Sequence, residues 1–171
     1  MGLFTIGLLA GGVATASALW LVSGLATPIP PSWRAIAVAV IAGAAVLRDI
    51  GLLRLKLPQN ARQIPQEVFQ RNLLTGSAQF GFELGTGVRT YVTSSAPYVV
   101  AFAILLTADG YIPALLTGLG FGAGRALTPL MRVGSGSPDQ WDDRLERRLR
   151  AVTVSVCSTL AVVAIMRVAL S

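Results

Sequence analysis

Histidine is absent from the 171-residue chain, and cysteine occurs once, as Cys157. Those two shortages exclude an intrachain disulfide, a dithiol electron shuttle and a Cys/His metal cluster. Cys157 lies in an apolar run, where a lone thiol packs as a small hydrophobe. Charge is scarce too. Charged residues make up 13% of the chain, against about 25% in an ordinary soluble domain. Hydrophobic residues make up 53%, and the mean hydropathy is +0.65. With 18 glycines, this composition predicts an all-α, polytopic integral membrane protein forming one membrane domain over residues 1–171. The net charge of +6 would suit nucleic acid, but no basic aromatic platform accompanies it. Basic residues in short loops that orient spans account for it better.

Five spans emerge along the chain. The first, Leu3 to Ala26, carries no charge. It lacks the basic segment that opens a signal peptide, so it reads as a retained helix. "TPIPPSW" then breaks the helix, because proline has no amide hydrogen and restricts the residue before it. The second span runs from about Trp33 to Leu55 and carries Arg48 and Asp49 into the membrane or its interface. "RLKLPQNARQIPQEVFQRN" follows as a basic loop, with Pro65 suited to start a short interfacial helix. The fourth span is Tyr111 to Met131. "RVGSGSPDQWDDRLERRLR" is a second polar loop, in which Asp139 can cap a short charged helix. The fifth span is 151–170.

The two basic loops, about 56–75 and 132–150, belong on the cytoplasmic side of a cell membrane. The turns "TPIPPSWR" and "TADGY" then lie outside, with Trp20, Trp33 and Tyr111 as an outer aromatic belt. The N-terminus falls in the cytoplasm and the C-terminus outside. Between the first basic loop and "TADGY" the chain crosses an odd number of times. "YVVAFAILLT" is about half of the ~20 residues that a span requires. The polar stretch "QFGFELGTGVRTYVTSSAP" therefore joins it in one long third span, Gly76 to Thr107, kinked at Pro97.

Polar residues inside that span form the candidate site. At helical spacing Gln79, Glu83, Thr86, Thr90, Ser94 and Pro97 share one face, with Arg89 and Thr93 at its edge. A charge facing lipid costs at least ~3 kcal/mol, so this face turns to the bundle interior or a wet cavity. Glu83, Arg48 and Arg125 fall at similar depths. Glu83 is expected to pair with Arg125 or Arg48, with Asp49 nearby. Arg89 lies deeper and has hydroxyls, carbonyls or an anionic ligand as candidate partners. Two roles stand open for this set: a buried network that fixes helix register, and a transport or ligand site. Span 4 holds "GLGFGAGR", whose Gly118/Gly122 and Gly120/Gly124 give two small-residue faces for close helix packing within the fold or in a homo-oligomer. No Lys-Ser/Thr follows, so it is not a phosphate loop. "GVAT" (Gly12 to Thr15) recurs as "GVRT" (Gly87 to Thr90), a faint sign that spans 1–2 and 3–4 are parallel copies.

The stretches "FGFELGTGVRTYVTSSAPYVVAFAILL" and "ALLTGLGFGAGRAL" resemble membrane thiol-disulfide carriers of the CcdA/DsbD type, within the LysE-like transporter group. The resemblance implies a bundle of glycine- and proline-broken helices around a central site. That family's cysteine pair is replaced here by "VTSSAP", so no redox residue carries over. No catalytic set, metal site or cofactor is expected. The partners expected are the lipid bilayer and other membrane subunits or a second copy. The functions in play are a transport-like or channel-like protein with a polar site on span 3, and a non-catalytic accessory subunit of a larger membrane complex.

Overall fold

A computed structural model of the chain describes residues 2–54, 73–87, 95–107 and 110–170. The described residues are all-helical, with no strand among them. The helices are α1 (Gly2–Ser23), α2 (Pro31–Asp49), α3 (Leu73–Thr86), α4 (Ala96–Thr107), α5 (Tyr111–Gly134) and α6 (Pro138–Leu170), with a 3-10 turn at Gly24–Ala26. Among the described residues two stretches are long and apolar enough to cross a membrane, Gly2–Ala26 and Pro31–Asp49. Shorter apolar helical stretches are Ala96–Thr107 and Ala151–Val163. The 24 residues of α5 have the length, but its glycines, Arg125 and Pro129 dilute the apolar content.

Local chemistry sets the ends. Pro31 opens α2 at its first position, where the missing N–H is not needed. Gly51 closes α2 in the left-handed conformation, at φ 91°. Its N–H donates to the Arg48 carbonyl at 2.9 Å, and the Leu52 N–H donates to Leu47 at 2.9 Å. This glycine stop ends the second helix at Asp49 rather than near Leu55, which puts Arg48 and Asp49 in the last turn. The third span is likewise not one helix kinked at Pro97. Gly87 ends α3 at φ 70°, and α4 starts afresh at Ala96. Pro97 sits in the first turn of α4, a position that tolerates proline, and kinks nothing. In α6 no glycine or proline follows Pro138, so the charged segment and the fifth apolar run form one helix of 33 residues. The Ser137 carbonyl accepts the Trp141 N–H at its start, and Asp139 lies in the first turn instead of capping a separate helix.

The chain divides into two compact units. The first comprises Met1–Ala18, Pro58–Val92 and Tyr111–Asp142. Its helices meet at backbone distance through glycine. A Cβ on Gly7 would sit 2.8 Å from the Phe82 amide nitrogen, and one on Gly11 2.8 Å from that of Thr86. On the facing helix, a Cβ on Gly85 would come within 2.9 Å of the Leu8 carbonyl carbon, and Gly81 is closed off by Phe4. Two glycines four apart on α1 thus interlock with two on α3. On another side of α1, a Cβ on Gly118 would meet the Ala16 methyl at 2.7 Å, and one on Gly122 the Leu9 Cα at 2.9 Å. Phe4 and Phe80 stack at 5.8 Å between ring centroids. Gly12 is enclosed within α1 against Gly118, whereas Gly87 terminates α3. The "GVAT" and "GVRT" glycines therefore serve different backbone geometries, and the rest of "GVRT" lies outside the described residues.

The second unit comprises Leu19–Leu57, Thr93–Gly110 and Asp143–Ser171. Ala42 and Ala45 of α2, Val99 of α4 and Cys157 of α6 form its buried core, with Ile41, Val46, Leu160 and Ala161 packed around them. Cys157 is fully buried and packs as expected of a thiol in an apolar run.

The glycines divide into closed and open positions, and a methyl group tells them apart. Gly85→Ala is expected to lower stability by about 1–3 kcal/mol through overpacking. At Gly124, where nothing lies within 4 Å, alanine should be neutral or stabilising by up to about 1 kcal/mol. Thermal unfolding of the two variants in detergent measures the contrast.

Candidate functional site

The site is built at the two ends of α4. A helix exposes N–H groups at its start and carbonyls at its end, and each needs a partner where water is excluded. Residues of α2 meet both needs. At the N-terminal end, Ser95 precedes α4, and its carbonyl accepts the Tyr98 N–H at 3.1 Å and the Val99 N–H at 3.2 Å. The Ser95 N–H donates to Asp49 Oδ2 at 3.0 Å, and the Ser95 hydroxyl donates to Asp49 Oδ1 at 2.8 Å. Arg48 Nη1 donates to the same Oδ1 at 2.8 Å and to Ser95 Oγ at 3.1 Å. Cys157 Sγ approaches Oδ2 at 4.0 Å. Asp49 keeps 4% of its side-chain surface exposed and Arg48 21%. The carboxylate is buried, paired and hydrogen-bonded, the combination that lets an ion persist in an apolar interior. It also sets a negative charge where the α4 dipole is positive.

At the C-terminal end, Arg34 Nη1 donates to the carbonyls of Leu106 at 3.4 Å and Thr107 at 3.2 Å. The Thr107 hydroxyl donates back to Ala103 at 2.8 Å. A cation here complements the negative end of the same dipole. Arg34 and Asp49 stand ~22 Å apart along α2, and the 12-residue α4 is ~18 Å long, at 1.5 Å rise per residue. One helix thus carries both caps, of opposite sign, at the spacing that the other requires.

Of the expected network, the structure brings Arg48 and Asp49 together. Glu83 and Arg125 lie on α3 and α5, two helices in contact. Gln79 Nε2 donates to Glu83 Oε1 at 3.2 Å, and the Arg125 guanidinium lies 5.6 Å from the centre of the Phe121 ring, within cation–π range. Thr86 ends α3; its hydroxyl donates to the Glu83 carbonyl at 2.7 Å, and its own carbonyl accepts from Thr15 Oγ1 at 3.2 Å. Arg89, Thr90, Thr93 and Ser94 lie outside the described residues. Because α3 ends at Thr86, no single helix face runs from Gln79 to Pro97. Gly118 and Gly122 are buried against α1, whereas Gly120 and Gly124 are open. Among the described residues no group of three or more His, Cys, Asp or Glu could hold a metal ion.

Sequence reasoning missed Ser95 and Arg34. "SAPYVV" carries the signal for Ser95: a serine before a first turn containing proline is a helix start. Arg34 had none, since its partners are carbonyls distant in sequence. Comparison of the chain with protein-family models, curated proteins and solved structures gives no significant match.

Removing the Asp49 carboxylate leaves Arg48 and the Ser95 donors without their acceptor. Asp49→Ala is expected to cost about 3–5 kcal/mol, and Ser95→Ala about 1 kcal/mol, as for loss of an N-cap. Thermal or denaturant unfolding in detergent gives both values, and equal effects would contradict the ranking.

Proposed function

We propose that the protein is a small multi-pass membrane protein of five spans, transport-like, whose working element is the interrupted third span. One observation carries this reading: α3 ends at Gly87 and α4 begins at Ala96 with a buried carboxylate at its N-terminus. Discontinuous spans are the means by which many secondary transporters place half-helix ends at a binding site. Here the half-helix N-terminus is met by the chain's own Asp49. A cation or proton that binds Asp49 competes with the Ser95 donors for it, which couples occupancy of the carboxylate to the hold on α4. In sequence Glu83 precedes the same interruption and Arg89 falls within it, and Glu83 pairing with an arginine completes the proposed set. The N-terminus lies in the cytoplasm and the C-terminus outside, by the charge of the loops.

A second reading is an accessory subunit of a larger membrane complex. The open Gly120/Gly124 face of α5, beside exposed Leu116 and Leu127, favours it, since small residues admit a neighbouring helix.

Reconstitution separates the two. Purified protein in liposomes, loaded with a pH-sensitive dye and probed with proton, potassium and chloride gradients, is expected to show a flux that falls about tenfold or more in Asp49→Asn or Glu83→Gln, the order seen when a group tuned for proton transfer is lost. Absence of flux, together with a stoichiometric partner in native mass spectrometry, would establish the accessory role instead.

A further inference from the structure

The charges of α6 are only partly sorted by side, since Arg147 and Arg150 fall about 80° and 20° from Cys157, toward the acids. Taking the direction of Cys157 as zero and about 100° per residue, Asp139, Asp142, Asp143 and Glu146 fall within about 60° of it. That is the side of Leu160 and Ala161, which pack in the core. One of these acids is engaged: Arg132 Nε donates to both carboxylate oxygens of Asp142 at 3.0 Å. That hydrogen bond, and then the charge attraction, raise the pKa of Arg132 above its ordinary value. Arg144 and Arg148 fall at about 140° and 180°, on the opposite side. Both are exposed, and at i and i+4 they repel each other.

The same sector continues into the apolar half of α6. Ser155 and Val162 lie at about 160° and 140°, and Met166 at about 180°. All three are exposed, Val162 by 54% and Met166 by 56%. In a membrane this is the face that lipid chains cover. Arg148 and Arg144 precede Ala151, where the apolar stretch begins, by three and seven residues. At 1.5 Å per residue they stand ~4.5 and ~10 Å beyond it, at and just beyond the ~5–8 Å headgroup layer. A lipid whose chains lie on the Val162–Met166 face brings its phosphate to the two guanidinium groups.

We propose that the Arg144/Arg148 face of α6 is a binding site for the headgroup of an anionic phospholipid. The proposal rests on the reading of 151–170 as a membrane span, and on no other part of the proposed function. Guanidinium is suited to phosphate oxygens.

The test is lipid selectivity of the full chain, reconstituted in phosphatidylcholine with spin-labelled phosphatidylglycerol or spin-labelled phosphatidylcholine as the probe. The wild type is expected to prefer phosphatidylglycerol, less so as salt is raised. Arg144→Gln/Arg148→Gln should lower its relative association constant by about tenfold, from the loss of two basic residues at the surface. Arg144→Lys/Arg148→Lys should keep most of it, and Asp143→Asn/Glu146→Gln should not reduce it. Free glycerol phosphate should not displace the labelled lipid. A preference that survives in the glutamine variant overturns the proposal, as does a wild type with no preference. Loss of a co-purifying acidic protein in that variant, without any lipid preference, would assign the face to protein instead. A Ser155→Cys variant distinguishes the two levels of failure. Labelling of its introduced thiol by a membrane-impermeant maleimide overturns the span itself. Protection without lipid preference overturns the lipid site alone.

Discussion

The constraint on which the second unit depends is that α4 is short and begins and ends at interruptions of the chain. A twelve-residue helix is marginal in isolation, and its free N–H and carbonyl groups cost several kcal/mol each if they face hydrocarbon. α2 removes that cost at both ends, with Asp49 on the first turn and Arg34 on the last carbonyls. The two charges follow the dipole, negative at the start and positive at the end. Everything between them is apolar packing: Ala42, Ala45 and Val99 fill the interface, small enough to let the two helices approach. The pair is thus fixed in register by polar contacts at its ends and in distance by alanine along its length.

The first unit solves the same problem of cohesion differently. Its attraction comes from close packing, with many atoms of two backbones in contact. Gly7, Gly11, Gly81 and Gly85 bring two backbones so close that no Cβ fits between them. α1 is enclosed on a second side by Gly118 and Gly122. A helix that is apolar all round and lacks charge has few polar handles with which to choose a partner; on α1 the Thr15 hydroxyl, which donates to the Thr86 carbonyl, is one. The shape left by missing side chains does the choosing.

Much of this was legible in the sequence, and the misses have physical causes. Composition carries the all-helical class, and the apolar runs locate α1, α2, α5 and the lower half of α6. The small-residue face at Gly118/Gly122 was visible, but "GLGFGAG" offers two faces and the sequence does not say which is closed. The glycines of α1 and α3 went unread because glycine in an apolar run is easily taken as composition. The polar stretch was read as a continuous amphipathic helix, since periodicity is blind to the backbone angle at one residue. Gly87 breaks that periodicity by turning left-handed, and Ser95 restarts it. Arg48 and Asp49 stand out as charges beside an apolar run, but their meaning depends on what they cap, which is Ser95 and α4.

The position of Asp49 also limits what it can do. A carboxylate that accepts from an arginine and from two donors of Ser95 has most of its lone pairs engaged within the fold. Its hydrogen-bonding capacity is largely spent inside the fold, so an incoming ion must share or displace a contact that secures α4. Binding at Asp49 and the hold on α4 are therefore linked by the geometry of a single side chain: an ion that binds the state in which Ser95 is released shifts the chain toward it, by no more than its preference for that state. An interaction that serves only register would have no such link to exploit, because nothing would compete for it. The salt bridge and the Ser95 contacts together hold the start of α4 to the last turn of α2.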